Sequence, residues 1–515
     1  MLILSVYLIC MTLILIYCLA EVHLAIKYRQ FKEQTPTDDA PALPLGLPDD
    51  HYPFITVQLP VYNELYVVER LINAVAAFEY PKSRLEIQVL DDSTDETTDL
   101  IASKVAELQA QRLDITHLTR INRNGYKAGA LQEAFTKAKG SLIAIFDADF
   151  VPTPDFLLKA AGYFMDERVG MVQTRWRFIN KDYSLLTRIQ AFFIDAHFTV
   201  EQGGRNAAGY FMNFNGTAGV WRKQAILDGG GWQHDTLTED LDLSYRSQLK
   251  GWRFKYIDSI GAPSELPADM PSFKSQQFRW IKGGAETAAK ILPRLLRSSI
   301  PFAVKFQAIV HLLGGSIYML LLIFMLLSVP LMMLKGQYLS VLYHPVGAVF
   351  LLSNFAVLYV HLTSAKYSIP SGTGAWKYVV TMFPIFLIMT MGLSLHNALA
   401  ALRGWVGQKT PFIRTPKFNL THHLDQWQQK RYTTRKTDGL IFAEGVMALF
   451  FLAAILYGIF NHTFMFMALH LLAFTGFTTV FAYSILHIAR SRSKEQPKTQ
   501  KGDGLEESVV SGMSR

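Results

Sequence analysis

Two aspartates, Asp147 and Asp149, stand one residue apart at the end of an apolar stretch that begins at Ser141. The apolar run predicts a buried strand. In an open α/β sheet, ligands bind beyond the carboxyl ends of the strands, where these carboxylates would lie. Their oxygens suit Mg²⁺ or Mn²⁺ carrying a diphosphate. Because solvated turn aspartates are more common than metal ligands, this pair alone is weak evidence.

Three further polar groups follow predicted strands or helix starts. Leu59-Pro60-Val-Tyr62-Asn-Glu64 follows the first strand, where a helix N-terminus offers free N–H groups to a phosphate or a polar ring. Asp91-Asp92-Ser-Thr-Asp-Glu96 follows the second strand and is able to accept hydrogen bonds from a base or a ribose. Lys127 is placed to meet a diphosphate as a point charge. An ordinary turn, an N-cap and a solvated lysine are the alternatives.

Two later motifs add a base and a sugar-stacking surface. Thr238-Glu239-Asp240 predicts a helix that begins at Thr238, with a carboxylate able to deprotonate an acceptor hydroxyl. Gln276-Gln-Phe-Arg279-Trp280 places an amide, a cation and an indole within two helical turns. Indole faces suit sugar rings. A capped helix and a Trp/Arg pair at a membrane interface explain the two motifs equally well when each is taken alone.

The elements that must position these residues alternate between short strands and helices from residue 54 to about 258. We predict strands at 54–59, 85–90, 115–118 and 141–146, and helices at 64–77, 97–110 and 127–137. This alternation indicates a mostly parallel sheet covered by helices. Since no Gly-x-Gly-x-x-Gly follows the first strand, a dinucleotide site is not expected.

Composition indicates a soluble part joined to a membrane part. The chain has 515 residues, of which 50% are hydrophobic, and a mean hydropathy of +0.17. Much of the net charge of +8 flanks apolar runs, which favours positive-inside topology over nucleic-acid binding. The two cysteines, Cys10 and Cys18, both fall in the first apolar run, so neither a disulfide framework nor a thiolate metal site is expected.

The predicted organisation has six parts. A membrane helix at 1–33 is followed by a Pro-rich linker at 34–52 and a catalytic domain at 53–270. Interfacial helices at 271–305 then lead to a transmembrane region at 306–490, which contains a cytoplasmic loop at 403–437. A polar tail at 491–515 ends the sequence. Three apolar segments separate the catalytic domain from the basic loop, yet both are predicted to be cytoplasmic. We therefore predict that 379–402, which contains Pro384, is interfacial or re-entrant, and that the chain crosses the membrane five times.

Taken together and in order, these motifs resemble the membrane-integrated family 2 glycosyltransferases, the superfamily of cellulose synthase, hyaluronan synthase and plant cellulose-synthase-like mannan synthase. The hallmark set D, DxD, TED and QxxRW stands here as Asp92, Asp147-Ala-Asp149, Thr238-Glu-Asp240 and Gln276-Gln-Phe-Arg-Trp280. Lys127-Ala-Gly129 and Phe214-Asn-Gly-Thr217 extend the resemblance. It implies an α/β GT-A domain in the cytoplasm, followed by an α-helical transmembrane channel domain with interfacial helices.

The resemblance also implies a role for each site residue. Asp240, with Glu239, would be catalytic, Asp149 and Asp147 would hold Mg²⁺ or Mn²⁺, and Trp280 would stack on the acceptor sugar. The donor, a nucleotide diphosphate sugar, would be bound by Pro60, Tyr62, Glu64, Asp92, Lys127, Asp147, Gln276 and Arg279. A loop that closes over the nucleotide would contribute Phe412, Arg414, Thr415 and Lys417.

The expected function is that of an inverting membrane glycosyltransferase. It would transfer a hexose from UDP-glucose or GDP-mannose to the 4-OH or 3-OH of a growing β-glycan, and would extrude that glycan through its own channel. The alternative is a non-processive enzyme that glycosylates a lipid such as diacylglycerol or ceramide. A catalytically inactive transporter or sensor would require a missing motif carboxylate, and none is missing. The lipid bilayer and a polysaccharide or lipid acceptor are the expected partners, with no nucleic acid, in a bacterial inner or plasma membrane.

Overall fold

A computed structural model describes residues 1–35, 43–44, 46–334, 337–369, 374–422, 424–428, 430–433 and 438–493. Parts of the predicted linker and loop, and most of the predicted tail, therefore lie outside the described residues. The described chain combines a sheet-containing domain with a set of long apolar helices.

The sheet has seven strands in the order β3-β2-β1-β4-β6-β5-β7. Their bounds are β1 Ile55–Val61, β2 Leu85–Asp91, β3 Ile115–Thr119, β4 Leu142–Ile145, β5 Val169–Phe178, β6 Gly219–Arg222 and β7 Arg253–Ser264. The first four strands pair in parallel, as predicted, whereas β6 runs antiparallel to both β4 and β5. Gly219 at the start of β6 pairs with Ile145 at the end of β4. The segment that precedes β6 is therefore brought to the edge where Asp147 lies.

Short helices cover both faces of this sheet. They are α2 Val68–Ala76, α3 Thr97–Ala110, α4 Tyr126–Lys137, α5 Phe156–Ala161, α6 Leu185–Ala196, α7 Gly203–Ala208, α8 Lys223–Asp228 and α9 Glu239–Gln248, with a π-helical turn at His197–Gln202. One core packs Val57, Ile87 and Phe146 together, and another packs Ile143 against Trp221. Helix α2 begins four residues later than predicted, because Asn63 has a left-handed φ of 54° and residues 64–67 form a turn.

The predicted interfacial segment is mainly one helix, α10, which spans Met270–Arg297. Asp269 caps it by accepting a hydrogen bond of 2.8 Å from the Ser272 N–H, and Pro271 stands in the first turn. A buried ion pair of 2.6 Å joins Lys274 in this helix to Glu444, more than 150 residues later in the chain. Helix α10 thus links the sheet domain to the apolar helices.

Six helical segments are long and apolar enough to cross a membrane, namely Leu2–Gln34, Phe302–Met333, Pro345–Ser368, Ala375–Trp405, Gly439–Phe460 and Met467–Arg492. The helices concerned are α1 Leu2–Gln34, α11 Phe302–Leu313, α12 Ile317–Met333, α13 Gln337–Ser368, α14 Ala375–Trp405, α15 Gly439–Phe460 and α16 Met467–Ser493. The protein is therefore an integral membrane protein. Helix α14 is continuous through Pro384, which excludes the re-entrant form of this segment but not an interfacial one.

Candidate active site

All of the predicted site residues line one cavity at the carboxyl-terminal edge of the sheet. They are Pro60, Tyr62, Glu64, Asp92, Lys127, Asp147, Asp149, Glu239, Asp240, Gln276, Arg279, Trp280, Phe412, Arg414, Thr415 and Lys417. The parallel strands β1, β2 and β4 are neighbours, so the residues that follow them meet at the same edge. Helix α9 and helix α10 close the cavity from one side, and the segment from 409 to 422 covers it with residues 412 to 417.

Lys127 and Asp147 form a direct ion pair inside this cavity. The Lys127 Nζ lies 2.5 Å from Asp147 Oδ1 and donates a hydrogen bond of 2.8 Å to the Gly216 carbonyl. Burial acts to lower the pKa of Lys127, but the negative charges of Asp147 and Glu239 outweigh it, so the pKa is raised. This side chain is therefore a permanent cation beside Asp147.

Asp149 is buried and its carboxylate is also paired with a cation. Its Oδ2 lies 2.7 Å from the Lys417 Nζ and accepts a hydrogen bond of 3.1 Å from the Glu265 N–H. Among the described residues, no three His, Cys, Asp or Glu side chains come together as a metal site. Mg²⁺ is usually held by one or two carboxylates plus substrate phosphates, and a carboxylate that already holds a cation fits that pattern. The donor set thus suits a metal ion that arrives with a diphosphate.

The other two carboxylates predicted to meet the nucleotide are likewise paired with arginines. Arg120 donates two hydrogen bonds to Asp92, one of them 2.8 Å long, and Arg414 donates to both oxygens of Glu64 at 2.7 and 2.8 Å. Burial raises the pKa of Glu64 to about 7, although the charge of Arg414 opposes this shift. Each carboxylate that was predicted to bind metal or nucleotide therefore has an internal cationic partner.

Asp240 lies in the first turn of α9 and faces the loop that precedes β6. Its Oδ1 accepts a hydrogen bond of 2.8 Å from the Leu241 N–H. A Cβ added to Gly216 would lie 2.9 Å from Asp240 Oδ2, and Gly216 has a φ of +79°. Only glycine allows the backbone to pass so close to this carboxylate. Burial, followed by the charge of Glu239, raises the pKa of Asp240 to about 7, and burial also raises the pKa of Glu239.

Arg279, Gln276 and Trp280 approach the cavity from α10. The Arg279 Nη2 donates a hydrogen bond of 2.7 Å to Thr415 Oγ1, and the Phe412 ring centroid lies 4.8 Å from the guanidinium carbon. Burial lowers the pKa of Arg279 to about 10. Within the described part of the chain, Gln276 Oε1 and Arg279 Nε have no hydrogen-bond partner although both are buried. Such unpaired polar atoms in a cavity are available to a ligand.

Comparison with known proteins assigns the sheet domain to a family. Residues 53–283 match the family described as "Glycosyltransferase like family 2". This segment is a family 2 glycosyltransferase domain.

The curated relatives of this chain include plant proteins. It is 44% identical over 262 residues to "Probable glucomannan 4-beta-mannosyltransferase 7" of Oryza sativa subsp. japonica. This match covers 50% of this chain and 45% of that protein. It is 40% identical over 268 residues to "Glucomannan 4-beta-mannosyltransferase 9" of Arabidopsis thaliana, covering 51% and 49%. The chain thus spans about half the length of the curated relatives it matches. Plant relatives give no support to the predicted bacterial origin.

A solved structure shows that the domain has the GT-A fold. The mannosyltransferase PcManGT from Pyrobaculum calidifontis, in complex with GDP-Man and Mn²⁺, superposes with a TM-score of 0.50 at 20% sequence identity. The match covers 78% of this chain and 100% of that chain. The predicted fold class, a GT-A domain joined to apolar helices, is confirmed.

Several residues of the glycosyltransferase cavity were missed by the sequence analysis. The guanidinium carbon of Arg123 is 3.2 Å from the centroid of the Tyr62 ring. The ring centroids of Trp176 and Trp280 are 6.4 Å apart. Glu265 follows the last residue of β7 directly. The rule that polar residues after a strand mark a site, applied to β1, β2 and β4, would have found Glu265 as well.

A second cavity of the glycosyltransferase lies among the apolar helices. It is lined by the aromatic side chains Tyr17, Phe193, Tyr318 and Phe386 and by polar side chains that include Glu21, Glu201, Asn354 and His361. Phe193 lines this cavity, and its neighbour in α6, Ile194, lines the first one. The two cavities therefore both border helix α6.

We expect the rate constant kcat/KM to fall on the acidic side of pH 7. A general base must be deprotonated, and the raised pKa of Asp240, about 7, means that it is protonated below that pH. The rate should fall about tenfold per pH unit below this value. A pH profile of the wild type and of Glu64→Gln provides the check, because Glu64 also has a pKa of about 7. The acidic limb should persist in Glu64→Gln, and its disappearance would assign it to Glu64 instead.

Proposed function

We propose that the protein is an inverting glycosyltransferase that transfers mannose from GDP-mannose to the 4-OH of a growing β-glycan. The observation that carries this proposal is the meeting of all four hallmark motifs in one cavity. Asp92, Asp147, Asp240 and Trp280, which are separated by up to 188 residues in the sequence, line the same space. Their meeting in one cavity supports glycosyl transfer from a nucleotide sugar.

The proposed mechanism is a single in-line displacement at the anomeric carbon. Asp240 takes the proton from the attacking hydroxyl of the acceptor, whose terminal sugar stacks on Trp280. Inversion of the α-linked donor then gives a β-linkage, and one base is sufficient. Lys127 and Arg279 stabilise the charge that develops on the departing diphosphate. The unpaired Gln276 Oε1 is available to accept a hydrogen bond from the bound sugar or acceptor.

A divalent ion would be held by Asp149, with Asp147 beside it. When bound, such an ion neutralises diphosphate charge and makes protonation of the leaving group unnecessary. Lys417, which lies 2.7 Å from Asp149 Oδ2, would be near enough to the bound diphosphate to pair with it.

The choice of mannose rests on the relatives. Both plant relatives are described as glucomannan 4-beta-mannosyltransferases, and the structural neighbour was solved with GDP-Man and Mn²⁺. GDP-mannose therefore fits better than UDP-glucose, and Mn²⁺ or Mg²⁺ is the proposed ion. None of these relatives supports the alternative of a lipid acceptor.

The second cavity supports extrusion of the product through the membrane part. Its aromatic walls and scattered polar groups are of the kind that bind sugar rings. Phe193 lines this cavity and Ile194 lines the catalytic one, so the two cavities meet the same helix, α6. A glycan that leaves Trp280 would pass Trp176 and enter the space between α1, α12, α13 and α14. We therefore favour processive synthesis.

Incubation of the purified full-length protein with labelled donor tests this function. We expect GDP-mannose, and not UDP-glucose, to give a ladder of products in the presence of Mn²⁺, and an endo-β-1,4-mannanase to degrade that ladder. The variant Asp240→Asn serves as the inactive control. A single lipid-extractable product would instead establish the non-processive alternative, and a ladder from UDP-glucose alone would overturn the choice of sugar.

We also propose that the chain crosses the membrane five times, with α14 lying along the membrane surface. Near its start, the Tyr378 ring packs on Phe192 of α6, with 5.8 Å between ring centroids. Near its end, Gly404 passes so close to α10 that an added Cβ would lie 2.5 Å from the Lys282 carbonyl oxygen. Both ends of α14 thus touch the same catalytic side of the protein.

The neighbouring helices support the same topology. The last residue of α13, Ser368, accepts a hydrogen bond of 2.8 Å from Arg175 in β5, so α12 and α13 leave the catalytic side and return to it. His487 in α16 accepts a hydrogen bond of 2.9 Å from the Met270 N–H, so α15 and α16 do the same. Helix α1 supplies the remaining crossing.

Cysteine labelling tests this topology. In a background with Cys10→Ser and Cys18→Ser, we expect Gln408→Cys, at an exposed position after α14, to be labelled only after the membrane is permeabilised. Asn461→Cys, between α15 and α16, should be labelled in intact cells or vesicles from the outside. Labelling of both positions from the same side would contradict the five-crossing topology.

A further inference from the structure

Glu265 makes an unusual set of contacts with the segment that covers the catalytic cavity. It is 3% exposed and follows strand β7 directly. Its Oε1 accepts a hydrogen bond of 2.9 Å from the Phe418 N–H, and its Oε2 accepts one of 2.8 Å from the Asn419 N–H. Two consecutive backbone donors of a distant segment therefore converge on one buried carboxylate.

The backbone of the covering segment is shaped for this contact. Asn419 has a φ of 55°, in the left-handed region that asparagine tolerates better than most residues. A left-handed residue turns successive N–H groups towards the same side, which creates a concave site for an anion. Phe418 is buried against Trp427 and Ala268, which fixes the position of this turn.

The backbone of Glu265 extends the same contact to the metal-binding motif. Its N–H donates to Asp149 Oδ2 at 3.1 Å, and its carbonyl oxygen accepts a hydrogen bond from the Lys417 Nζ. That ammonium group lies at the same time 2.7 Å from Asp149 Oδ2. One residue thus joins the covering segment to Asp149 through its carboxylate, its N–H and its carbonyl oxygen.

Charge around Glu265 reinforces this arrangement. Arg70 donates a hydrogen bond of 3.2 Å to the Asp149 carbonyl oxygen and another to the Asn419 side chain, so it bridges the same two segments. The charged groups that act on Glu265 are Lys417, Asp149 and Arg70. A carboxylate bound to backbone N–H groups forms charge-assisted hydrogen bonds, which are roughly twice as strong as neutral ones.

We propose that Glu265 is a positioning residue that anchors the segment 409–422 over the donor site and holds it in register with Asp149. This inference rests on the proposed function, because it assumes that the cavity binds a nucleotide sugar. The anchor fixes residues 418 and 419, and the residues just before them, Arg414, Thr415 and Lys417, are thereby delivered to Glu64, Arg279 and Asp149.

Hydrogen exchange and kinetics on the full-length protein test the anchor together. In Glu265→Ala, we expect amide exchange of peptides that contain residues 418 and 419 to accelerate at least tenfold, since two charge-assisted bonds are lost. Donor KM should rise by about tenfold or more while kcat falls less, because the anchored segment acts in donor binding. Glu265→Gln, which keeps one acceptor oxygen, should show a smaller effect of the same kind.

Two further variants keep this test decisive. Glu86→Gln is the matched control, since Glu86 is a buried carboxylate that accepts a hydrogen bond of 2.9 Å from the Lys139 N–H far from the cavity. It should leave exchange at 418–419 and donor KM unchanged. Glu265→Asp shortens the side chain by one methylene group, so that its carboxylate no longer reaches both N–H groups, and should accelerate exchange at 418–419 even if Glu265→Ala folds poorly.

The outcomes separate the anchor from the enzymatic assignment. Unchanged exchange at 418–419 in both Glu265→Ala and Glu265→Asp would overturn the anchor, whatever the activity. Equal acceleration of exchange at 418–419 in Glu86→Gln would show that Glu265 contributes only to global stability. This result would also overturn the anchor. Accelerated exchange in a protein that transfers no sugar from any donor would retain the anchor and refute the proposed function instead.

Discussion

Replacement of Asp240 by asparagine should abolish sugar transfer while the protein still binds its donor. The change removes the proposed proton acceptor at the attacking hydroxyl and leaves Lys127 and Asp149, the groups proposed to bind the diphosphate and its ion, unaltered. Loss of a general base costs about 10²- to 10⁴-fold in rate, so we expect kcat to fall to the limit of detection. Binding of a fluorescent GDP analogue should change by less than about threefold, because Asp240 stays outside the nucleotide contacts.

A neighbouring carboxylate provides the control for this substitution. Asp235 pairs with Lys290 at 2.8 Å on the surface and does not line the catalytic cavity. Asp235→Asn should therefore retain nearly full activity. Equal loss of transfer and of nucleotide binding in Asp240→Asn would show that Asp240 holds the donor, and would refute its assignment as the base.

Replacement of Asp149 by asparagine should remove the dependence of donor binding on Mn²⁺. The proposed ion needs the negative charge of this carboxylate, which the amide of asparagine lacks. We expect donor affinity in saturating Mn²⁺ to fall about 10²-fold, to the level that the wild type shows in the presence of a chelator. Isothermal titration with GDP-mannose, with and without Mn²⁺, measures both quantities.

The matched control for Asp149 is a carboxylate of similar kind that lies away from the cavity. Asp166 pairs with Arg168 at 3.2 Å on the surface, and Asp166→Asn should keep the full effect of Mn²⁺. If Asp149→Asn still binds the donor more tightly with Mn²⁺ than without it, the ion must be held by other groups, and the assignment of Asp149 is wrong.

The strand ends of this protein could be located from its sequence because their signals are local. Apolar runs followed by Tyr62, Asp92 and Asp147 marked β1, β2 and β4. Parallel pairing of these neighbouring strands then places the three residues at the same edge of the sheet. The reversal of β6 was not predictable in this way, because its direction depends on pairing with β4 and β5 and not on its own four residues. Yet this reversal places Gly216 against Asp240.

The cationic partners of the carboxylates were beyond sequence analysis for a different reason. Arg120 and Arg123 lie in an unremarkable turn, and nothing in their spacing shows that they reach Asp92 and Tyr62. Lys417 and Arg414 were expected to close over a nucleotide, but their pairing with Asp149 and Glu64 depends on contacts more than 250 residues apart in the chain. Long-range pairing of this kind is set by the tertiary fold.

Helix α14 shows how tertiary contacts decide what composition leaves open. Its length and hydropathy are sufficient for a crossing, and Pro384 does not break it. What argues against a crossing is the contact of Tyr378 with Phe192 at one end and the approach of Gly404 to α10 at the other. Hydropathy indicates the affinity of a helix for lipid. The orientation of the helix relative to the membrane is indicated by the residues that it contacts.

Four acidic side chains that line the catalytic cavity are each paired directly with a basic one. Asp92, Asp147, Asp149 and Glu64 each face an arginine or a lysine. A GDP-sugar carries two negative charges on its diphosphate, and a divalent ion cancels them, so the incoming complex is neutral. Donor binding is then an exchange of partners within these ion pairs. Its affinity should consequently vary little with ionic strength, in contrast to enzymes that attract nucleotides with an excess of positive charge.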